Sequence, residues 1–95
     1  ISIALDMDGG NLYFYKNGTI QNSGTAAYTS LSGTMAIHLY DGSGSQAHEF
    51  SLNFGNPPYA NSSSAADAAG YGAFEYAPPS GYFSLCSKNL SEYGG

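Results

Sequence analysis

Carboxylates are the first side chains in this sequence with a possible catalytic role. Glycoside hydrolysis needs two of them at a fixed separation across one cleft. Glu49 and Glu75 are the two that could form such a pair, and both fall at solvent-facing positions of predicted strands. Asp41 and Asp67 fall in predicted loops. The pattern therefore favours surface carboxylates over a catalytic pair.

Asp6, Asp8 and Asn11 begin like a calcium-binding loop. The EF-hand pattern, however, has Gly10 at its fifth position here and Asn17 where a bidentate Glu is required. Short Asp and Asn side chains of this kind are typical of turns, because they bond to their own backbone. We therefore predict a turn at these residues, with no bound metal.

His38 and His48 lie on neighbouring predicted strands and could face one another. A stable metal site needs more ligands than two histidines, and no cysteine or third ligand accompanies them. We expect both to be polar surface positions, and we expect no cofactor.

Nucleophilic catalysis has little support in the sequence. The serines lie in Gly/Ala-rich loops, and no G-x-S-x-G elbow occurs. Cys86 is the single cysteine and is interpreted as a small buried hydrophobe. A reactive thiol is the alternative, with Lys88 as its only basic neighbour. We predict that the protein is not an enzyme.

Tyrosine-rich loops carry the strongest functional signal. Tyr, Ser, Gly and Asn together make adaptable contact surfaces at small entropic cost. The alternative is that each tyrosine lies at the edge of the core and its hydroxyl reaches water. The predicted ligand-binding residues are Tyr40, Asp41, Asn56, Tyr59, Asn61 and Tyr71.

The composition excludes several classes of partner. Only 9% of the 95 residues are charged, the formal net charge is −5, and the only cations are Lys16 and Lys88. A protein without a basic patch cannot neutralise phosphates, so nucleic acid is not an expected partner. No apolar run approaches the roughly 20 residues that cross a bilayer, so membrane insertion is not expected. Aromatic residues at 15% favour strands and tight turns.

The N-terminal residues predict β-hairpins. Alternate residues of 1–8 are apolar, which is typical of a half-buried strand. Residues 12–16 form a second predicted strand and 19–21 begin a third. Asn17 and Gly18 between them predict a type I′ turn, which needs positive φ at both central positions.

Two longer connections follow in the predicted order of elements. Residues 22–33 read as a polar connection that Tyr28 and Leu31 anchor. Residues 56–72 show no periodicity, and a loop of this length in a small domain is normally functional or a misread element. Within it, residues 64–70 could form a short helix with an N-cap serine and a terminal glycine.

The remaining periodic segments complete an all-β prediction. A Gly/Ser turn at 41–45 joins the predicted strands 34–40 and 50–54 as an antiparallel pair. Residues 88–95 are a polar stretch without clear period. Short strands between Gly, Asn and Pro turns favour a β-sandwich. The further predicted strands are 34–40, 50–54 and 82–86, with a brief extended segment at 74–76.

Four blocks of this sequence resemble one family. Residues 3–8 followed by 12–18 resemble the second half of a SPRY domain, whose pattern is a strand ending in Asp, a short turn, and an l-x-F-y-k-N-G strand. Residues 52–59 and 74–90 are similar to the C-terminal stretch of SPRY-like domains in bacteriophage structural proteins. There an Asn-Phe-Gly strand end and a Pro-Pro-Ser-Gly-Tyr block recur together. The resemblance covers nearly the whole chain.

The resemblance implies an antiparallel β-sandwich, the concanavalin A-like jelly roll, of which this chain is the C-terminal part. The abrupt start of an alternating strand at Ile1 agrees with that expectation. Residues 1–90 would be the C-terminal half of a SPRY-like sandwich, and 91–95 a polar tail or the start of a linker. Such a half-sandwich leaves apolar side chains unpartnered, namely Ile1, Ile3, Leu5, Phe14, Ile37, Phe50, Leu52 and Phe54.

These features together predict a non-catalytic recognition or structural module of a phage-like virion protein, either a tail fibre or a surface decoration. We expect it on the virion, outside cells, where it binds a host-surface glycan or a protein partner. Other virion subunits, including copies of itself in a homo-oligomer, are further expected partners. The alternatives are a purely architectural element of an oligomer or fibril, and a glycan hydrolase on the same fold.

Overall fold

The N-terminal quarter of the chain forms a three-stranded antiparallel sheet in the computed structural model, which describes residues 1–42 and 44–94. The strands lie in the spatial order β1-β2-β3. With one short α-helix and a 3-10 helix at Asn22–Gly24 besides, the domain is mostly β. Its strands are β1 (Ser2–Asp6), β2 (Asn11–Lys16) and β3 (Thr19–Ile20).

The turn between β2 and β3 has the predicted geometry. Asn17 has a φ of 50° and Gly18 a φ of 77°, so both central residues are left-handed, as a type I′ turn requires. Asn and Gly are the residues that tolerate this conformation best. The predicted hairpin is confirmed.

The connection after β3 is held by its backbone. The Leu12 N–H donates to the Tyr28 carbonyl at 3.0 Å, and the Leu31 N–H donates to the Gly10 carbonyl at 3.0 Å. The Tyr28 side chain itself is 62% exposed. The two predicted anchors are therefore confirmed as positions, but at Tyr28 the peptide group rather than the ring makes the attachment.

Three predicted strands, 34–40, 50–54 and 82–86, do not form, and this corrects the sequence prediction. Alternation shows which side chains would share a face, but a strand also needs a backbone partner. No described residue pairs with 34–40 or 50–54 through backbone hydrogen bonds. The turn predicted at 41–45 includes Ser43, which lies outside the described residues.

The helix predicted at 64–70 is also wrong, because this segment pairs with the residues that follow it. Ala65 and Phe74 exchange both backbone hydrogen bonds, at 2.8 and 2.9 Å, in an isolated antiparallel bridge. The Asp67 N–H donates to the Tyr71 carbonyl at 2.8 Å. Backbone groups engaged across a bend are not free for a helical turn.

The one α-helix among the described residues is α1 (Ser87–Tyr93), where the sequence predicts an aperiodic polar stretch. Its side chains show no apolar stripe, so periodicity gives no signal. Two polar interactions hold it instead. Lys88 pairs with Glu92 one turn later at 3.0 Å, and the buried Asn89 side chain donates a hydrogen bond to Asp67 at 2.7 Å. Gly95, at the end of the predicted tail, lies outside the described residues.

The buried side chains of the described residues are mainly polar. Ala4 is the buried hydrophobic residue, at 4% exposure, whereas Asp67, Ser84 and Asn89 are the buried polar ones. The expectation of unpartnered apolar side chains is confirmed, with Phe14 half-buried rather than exposed. The exposed members of that set are Ile1, Ile3, Leu5, Ile37, Phe50, Leu52 and Phe54.

The two faces of the sheet differ sharply. Ala4 pairs with Tyr13, and Ile3 pairs with Phe14; paired residues share a face. Burial raises the pKa of Tyr82, and so does negative charge on Asp6, Tyr13 and Tyr15, which share the Ala4 face. The more apolar face, with Ile3 and Phe14, is the open one.

No helix among the described residues has the length and apolarity that crossing a membrane requires.

Candidate functional site

The Asp67 carboxylate organises the C-terminal loops. Its Oδ1 accepts hydrogen bonds from the backbone N–H groups of Ala69, at 2.9 Å, and Tyr71, at 3.0 Å. Its Oδ2 accepts from Ser84 N at 2.7 Å, Ser84 Oγ at 2.6 Å and Asn89 Nδ2 at 2.7 Å. One buried side chain thus joins its own loop, the segment at residue 84 and helix α1.

These hydrogen bonds keep Asp67 ionised. Burial by itself raises the pKa of this carboxyl, but donation from the Ser84 side chain and backbone, the Tyr71 backbone and the Asn89 side chain outweighs it. The pKa of Asp67 therefore lies well below its ordinary value of 3.8.

A second polar brace forms around the carbonyl of Ala73. Asn53 Nδ2 donates to this oxygen at 2.8 Å and Asn61 Nδ2 donates to it at 3.0 Å. The Asn53 Oδ1 in turn accepts the N–H of Gly55 at 2.8 Å. This brace fixes residues 53–55 against residue 73, which the Ala73 N–H to Gly55 carbonyl bond of 2.9 Å reinforces.

The backbones of Gly55 and Gly72 approach closely where residues 53–55 pack against the chain beside residue 73. A Cβ on Gly72 would lie 3.2 Å from the Gly55 Cα and 2.6 Å from the Phe74 ring, and the φ of Gly72 is 91°. Both the close approach and the left-handed backbone require glycine. The two glycines form part of the wall of a pocket.

That pocket is open and has a volume of about 330 Å³, within the range of small-molecule sites. Its lining is mostly apolar, with polar groups at Asn56 and Lys88. Residues from the 52–56 segment, the loop that Asp67 holds and the start of α1 meet there. The lining residues are Leu52, Phe54, Gly55, Asn56, Tyr71, Gly72, Cys86 and Lys88.

Tyr71 and Lys88 line the pocket, and both contact Glu92, which lies outside the lining. Tyr71 Oη donates to the Glu92 carboxylate at 2.8 Å, Lys88 Nζ lies 3.0 Å from the same carboxylate, and this ammonium sits 5.5 Å from the centre of the Tyr71 ring. Donation from Lys88 and then Tyr71 lowers the pKa of Glu92. The hydrogen bond to Glu92 raises the pKa of Tyr71. The contacts tie the aromatic ring to α1.

Cys86 is half-buried and lines the pocket, so the prediction of a buried hydrophobe is only partly right. Its Sγ lies 3.4 Å from Ser84 Oγ. Contact with this hydroxyl lowers the pKa of the thiol, and so do the backbone N–H groups of Asn89 and Lys88. The one hydroxyl proton of Ser84 is directed to Asp67, so we assign the stabilisation of the thiolate mainly to the backbone groups.

Alkylation of Cys86 by iodoacetamide is expected to have its pH midpoint below that of the same cysteine in the urea-unfolded chain. The lowered pKa raises the thiolate fraction at any pH near neutrality, and the thiolate is the reacting species. Mass spectrometry of the reaction across a pH series measures both midpoints. Equal midpoints would show that the folded chain does not perturb the thiol.

The structure brings two of the predicted ligand-binding residues together. Asn56 and Tyr71 both line the pocket. Tyr59 does not line it, although its ring is partly exposed. Asn61 serves the Ala73 brace, and its Oδ1 accepts the N–H of Ser64 at 2.8 Å, so its amide is committed to the fold.

Tyr40 and Asp41 belong to a different part of the surface. Tyr40 meets the His38 ring edge-on with centroids 6.3 Å apart, and Asp41 Oδ1 lies 3.5 Å from His48 Nε2. Neither lines the pocket. His38 thus contacts Tyr40, and His48 contacts Asp41.

The Asp6 side chain forms the predicted turn. Its Oδ1 accepts the backbone N–H groups of Asp8 at 3.1 Å and Gly9 at 2.9 Å, an arrangement typical of Asx turns. Among the residues that the structure describes, no group of three or more His, Cys, Asp or Glu side chains could hold a metal ion.

Glu75 is engaged with its own loop. Its carboxylate accepts Ser62 N at 2.7 Å and Ser62 Oγ at 2.6 Å, and these bonds, first that from the side chain, lower its pKa. A general acid for glycoside hydrolysis needs a raised pKa. The lowered pKa therefore does not suit Glu75 to the role of general acid.

The sequence prediction missed the residues that build the site. The sequence places Asp67 in a loop with a possible short helix at 64–70, Ser84 in the predicted strand 82–86, and Asn89 in a polar stretch, and it assigns none of them to the site. A signal was present at Asp67, since an Asp three residues before a glycine is typical of side-chain to backbone bonding in a turn. Its contacts with residues 84 and 89 lie too far along the chain for any local pattern to show.

The fold and the pocket define a small, mostly β domain with a loop-built surface pocket. Comparison with protein-family models, with curated proteins and with solved structures finds no match for this chain.

Proposed function

We propose that this chain is a non-catalytic recognition module of a phage-like virion protein, a tail fibre or surface decoration, and that the pocket at Tyr71 binds a host-surface glycan. A protein partner at the same pocket is the second form of this proposal. The observation that supports it is the meeting of Asn56 and Tyr71, both expected from the sequence to bind ligand, in one pocket.

The lining suits a sugar. The apolar walls from Leu52 and Phe54 can pack against the C–H face of a pyranose ring, while Asn56 offers an amide that donates to and accepts from hydroxyl groups. The Asp67 network and the paired glycines place these groups on braced loops, so little ordering is needed on binding.

The virion setting and the finer fold rest on the sequence resemblance. We propose that the three-stranded sheet belongs to a SPRY-like β-sandwich of the concanavalin A type. A low charge and a surface rich in Gly, Ser, Asn and Tyr agree with a role outside cells. The extensive exposure of apolar residues favours a second candidate, an architectural element of an oligomer or fibril.

Asn56→Ala is expected to weaken glycan binding at least about tenfold, because one lost hydrogen bond to ligand corresponds to roughly that factor. Asn56 is exposed, so the fold is expected to survive the change. Glycan-array binding followed by titration with the best-bound sugar measures the effect.

Tyr59→Ala is the matched control, since it removes an exposed loop side chain outside the pocket, and it is expected to bind normally. Alkylation of Cys86 is expected to block binding by filling the pocket. An intact chain that binds no glycan would overturn the proposal and favour the architectural role. Glycan binding that survives both Asn56→Ala and alkylation would overturn the assignment to this pocket. Release of reducing sugar, lost on Glu75→Gln, would indicate a hydrolase.

A further inference from the structure

Lys88 brings a positive charge to the pocket, and that charge is already balanced. Lys88 is the one cationic side chain among the described residues that line the pocket. Its Nζ lies 3.0 Å from Oε1 of Glu92, one turn later on α1. The Tyr71 hydroxyl donates to the same carboxylate, and it lies 2.8 and 3.0 Å from the two carboxylate oxygens. Glu92 therefore holds two polar groups of the lining before any ligand arrives.

Negative charge also acts on the pocket from the buried network. Asp67 is buried and ionised. Its charge opposes the lowering of the Cys86 pKa that the Ser84 contact produces. The whole chain has a formal net charge of −5, and its other lysine, Lys16, lies outside the lining. A ligand that carries a negative charge would therefore approach a surface of the same sign.

A carboxylate on the ligand would compete with Glu92 for Lys88. If both carboxylates stayed, two like charges would share one ammonium group, which is unfavourable. If Glu92 were displaced, the Tyr71 ring would lose the hydrogen bond that ties it to α1. A neutral sugar avoids both costs, because its hydroxyl groups can bond to the Asn56 amide while the Lys88–Glu92 pair stays intact.

We propose that the ligands of the pocket are uncharged glycans, and that Glu92 sets the selectivity against acidic ones. Glu92 lies outside the lining, so it acts through Lys88, whose charge it balances, and through Tyr71, whose hydroxyl it holds. The inference rests on the proposed glycan-binding function and names the class of sugar. It makes Glu92 a specificity-determining residue that does not itself touch the sugar.

A matched pair of ligands tests the selectivity. The neutral sugar that binds best on a glycan array is compared, by titration calorimetry, with the corresponding uronic acid, in which a carboxylate replaces the hydroxymethyl group. The wild type is expected to bind the uronic acid at least about fivefold more weakly, because one charge–charge interaction near the surface corresponds to roughly that factor. Added salt is expected to reduce the difference, since it screens the repulsion.

Glu92→Gln is expected to raise the affinity for the uronic acid about fivefold and to leave the affinity for the neutral sugar unchanged. The amide keeps an oxygen that accepts from Tyr71, but it leaves the charge of Lys88 unbalanced beside the pocket. Lys88→Gln added to Glu92→Gln is expected to cancel the gain, because the attracting charge is then absent. Circular dichroism checks that the variants fold.

Glu49→Gln is the matched control. It makes the same change of side chain and of net charge at an exposed position outside the lining. It is expected to leave both affinities unchanged. A gain of uronic acid binding in Glu49→Gln equal to that in Glu92→Gln would overturn the assignment to Glu92.

The inference and the proposed function fail in different ways. A wild type that binds acidic glycans as tightly as neutral ones would overturn the selectivity and leave glycan binding in place. A folded Glu92→Gln variant that gains no affinity for the uronic acid would overturn the role of Glu92. A chain that binds no glycan of either class would overturn the proposed function and this inference with it.

Discussion

Replacing Asp67 with Asn is expected to lower the free energy of unfolding by about 3 kcal/mol or more, because a buried charged acceptor with several donors is removed. Asp67 is 8% exposed and accepts five hydrogen bonds from four residues. The amide that replaces it directs an N–H₂ group at donors, so some of these are left unpaired in a buried place. Urea denaturation followed by circular dichroism measures the change.

The same substitution is expected to change the pH dependence of stability. The folded-state pKa of Asp67 is lowered below its ordinary value of 3.8, so between these two pKa values the unfolded chain binds more protons than the folded one. The stabilisation by Asp67 is therefore fully present above the unfolded-state pKa and is lost as the pH falls through the folded-state pKa. Above that window the free energies of unfolding of the wild type and Asp67→Asn differ by a constant amount. Within the window this difference shrinks as the pH falls.

Glu75→Gln is the matched control for this prediction. Glu75 also has a lowered pKa, but its partner Ser62 lies on the surface, so the substitution is expected to have a much smaller effect on unfolding. A difference between wild type and Asp67→Asn that grows as the pH falls below 3.8 would contradict the assigned role of Asp67.

Gly72→Ala is expected to destabilise the folded chain by about 2 to 5 kcal/mol, from left-handed backbone strain of roughly 1 to 2 kcal/mol and steric overpacking of about 1 to 3 kcal/mol. The new Cβ would lie 2.6 Å from the Phe74 ring and 3.2 Å from the Gly55 Cα. The Phe74 ring can turn aside, but the Gly55 backbone cannot move without disturbing the Ala73 brace. The wall of the pocket is expected to shift, so glycan binding falls together with stability.

Gly70→Ala isolates the two contributions. Gly70 has a φ of 84°, close to that of Gly72, but a Cβ there would meet nothing within 4 Å. It is therefore expected to cost only the backbone strain, about 1 to 2 kcal/mol, and to leave the pocket unchanged. Equal losses of stability in the two variants would show that the close approach of the glycines does not contribute.

The local features of the fold were the predictable ones. The β1–β2 and β2–β3 hairpins follow from alternation and from the Asn17-Gly18 pair, because turn chemistry and strand period act over a few residues. The Asp6 turn follows for the same reason. The candidate site was predicted only in part: Asn56 and Tyr71 lie in the pocket, whereas Tyr40 and Asp41 lie elsewhere.

The errors share a physical cause. Residues 34–40 and 50–54 have the alternation of strands but no backbone partner among the described residues, and alternation cannot specify whether a partner is present. Helix α1 has no apolar period, and its stability comes from Asn89 at the buried network and from the Lys88–Glu92 pair. The Asn89 contacts depend on segments far along the chain, which local sequence does not encode, whereas the Lys88–Glu92 pair is a local contact between residues four apart and contributes modestly at the surface.

The sequence by itself determined the character of this protein: low charge, no basic patch, two tight hairpins, and an apolar side to the first strands. The tertiary structure decided what those features become. It buried Asp67 with Ser84 and Asn89, set Gly55 against Gly72, and left the apolar side of the sheet open. Hydrophobic period and turn propensity act between near neighbours, whereas a buried carboxylate finds its donors only when distant segments meet.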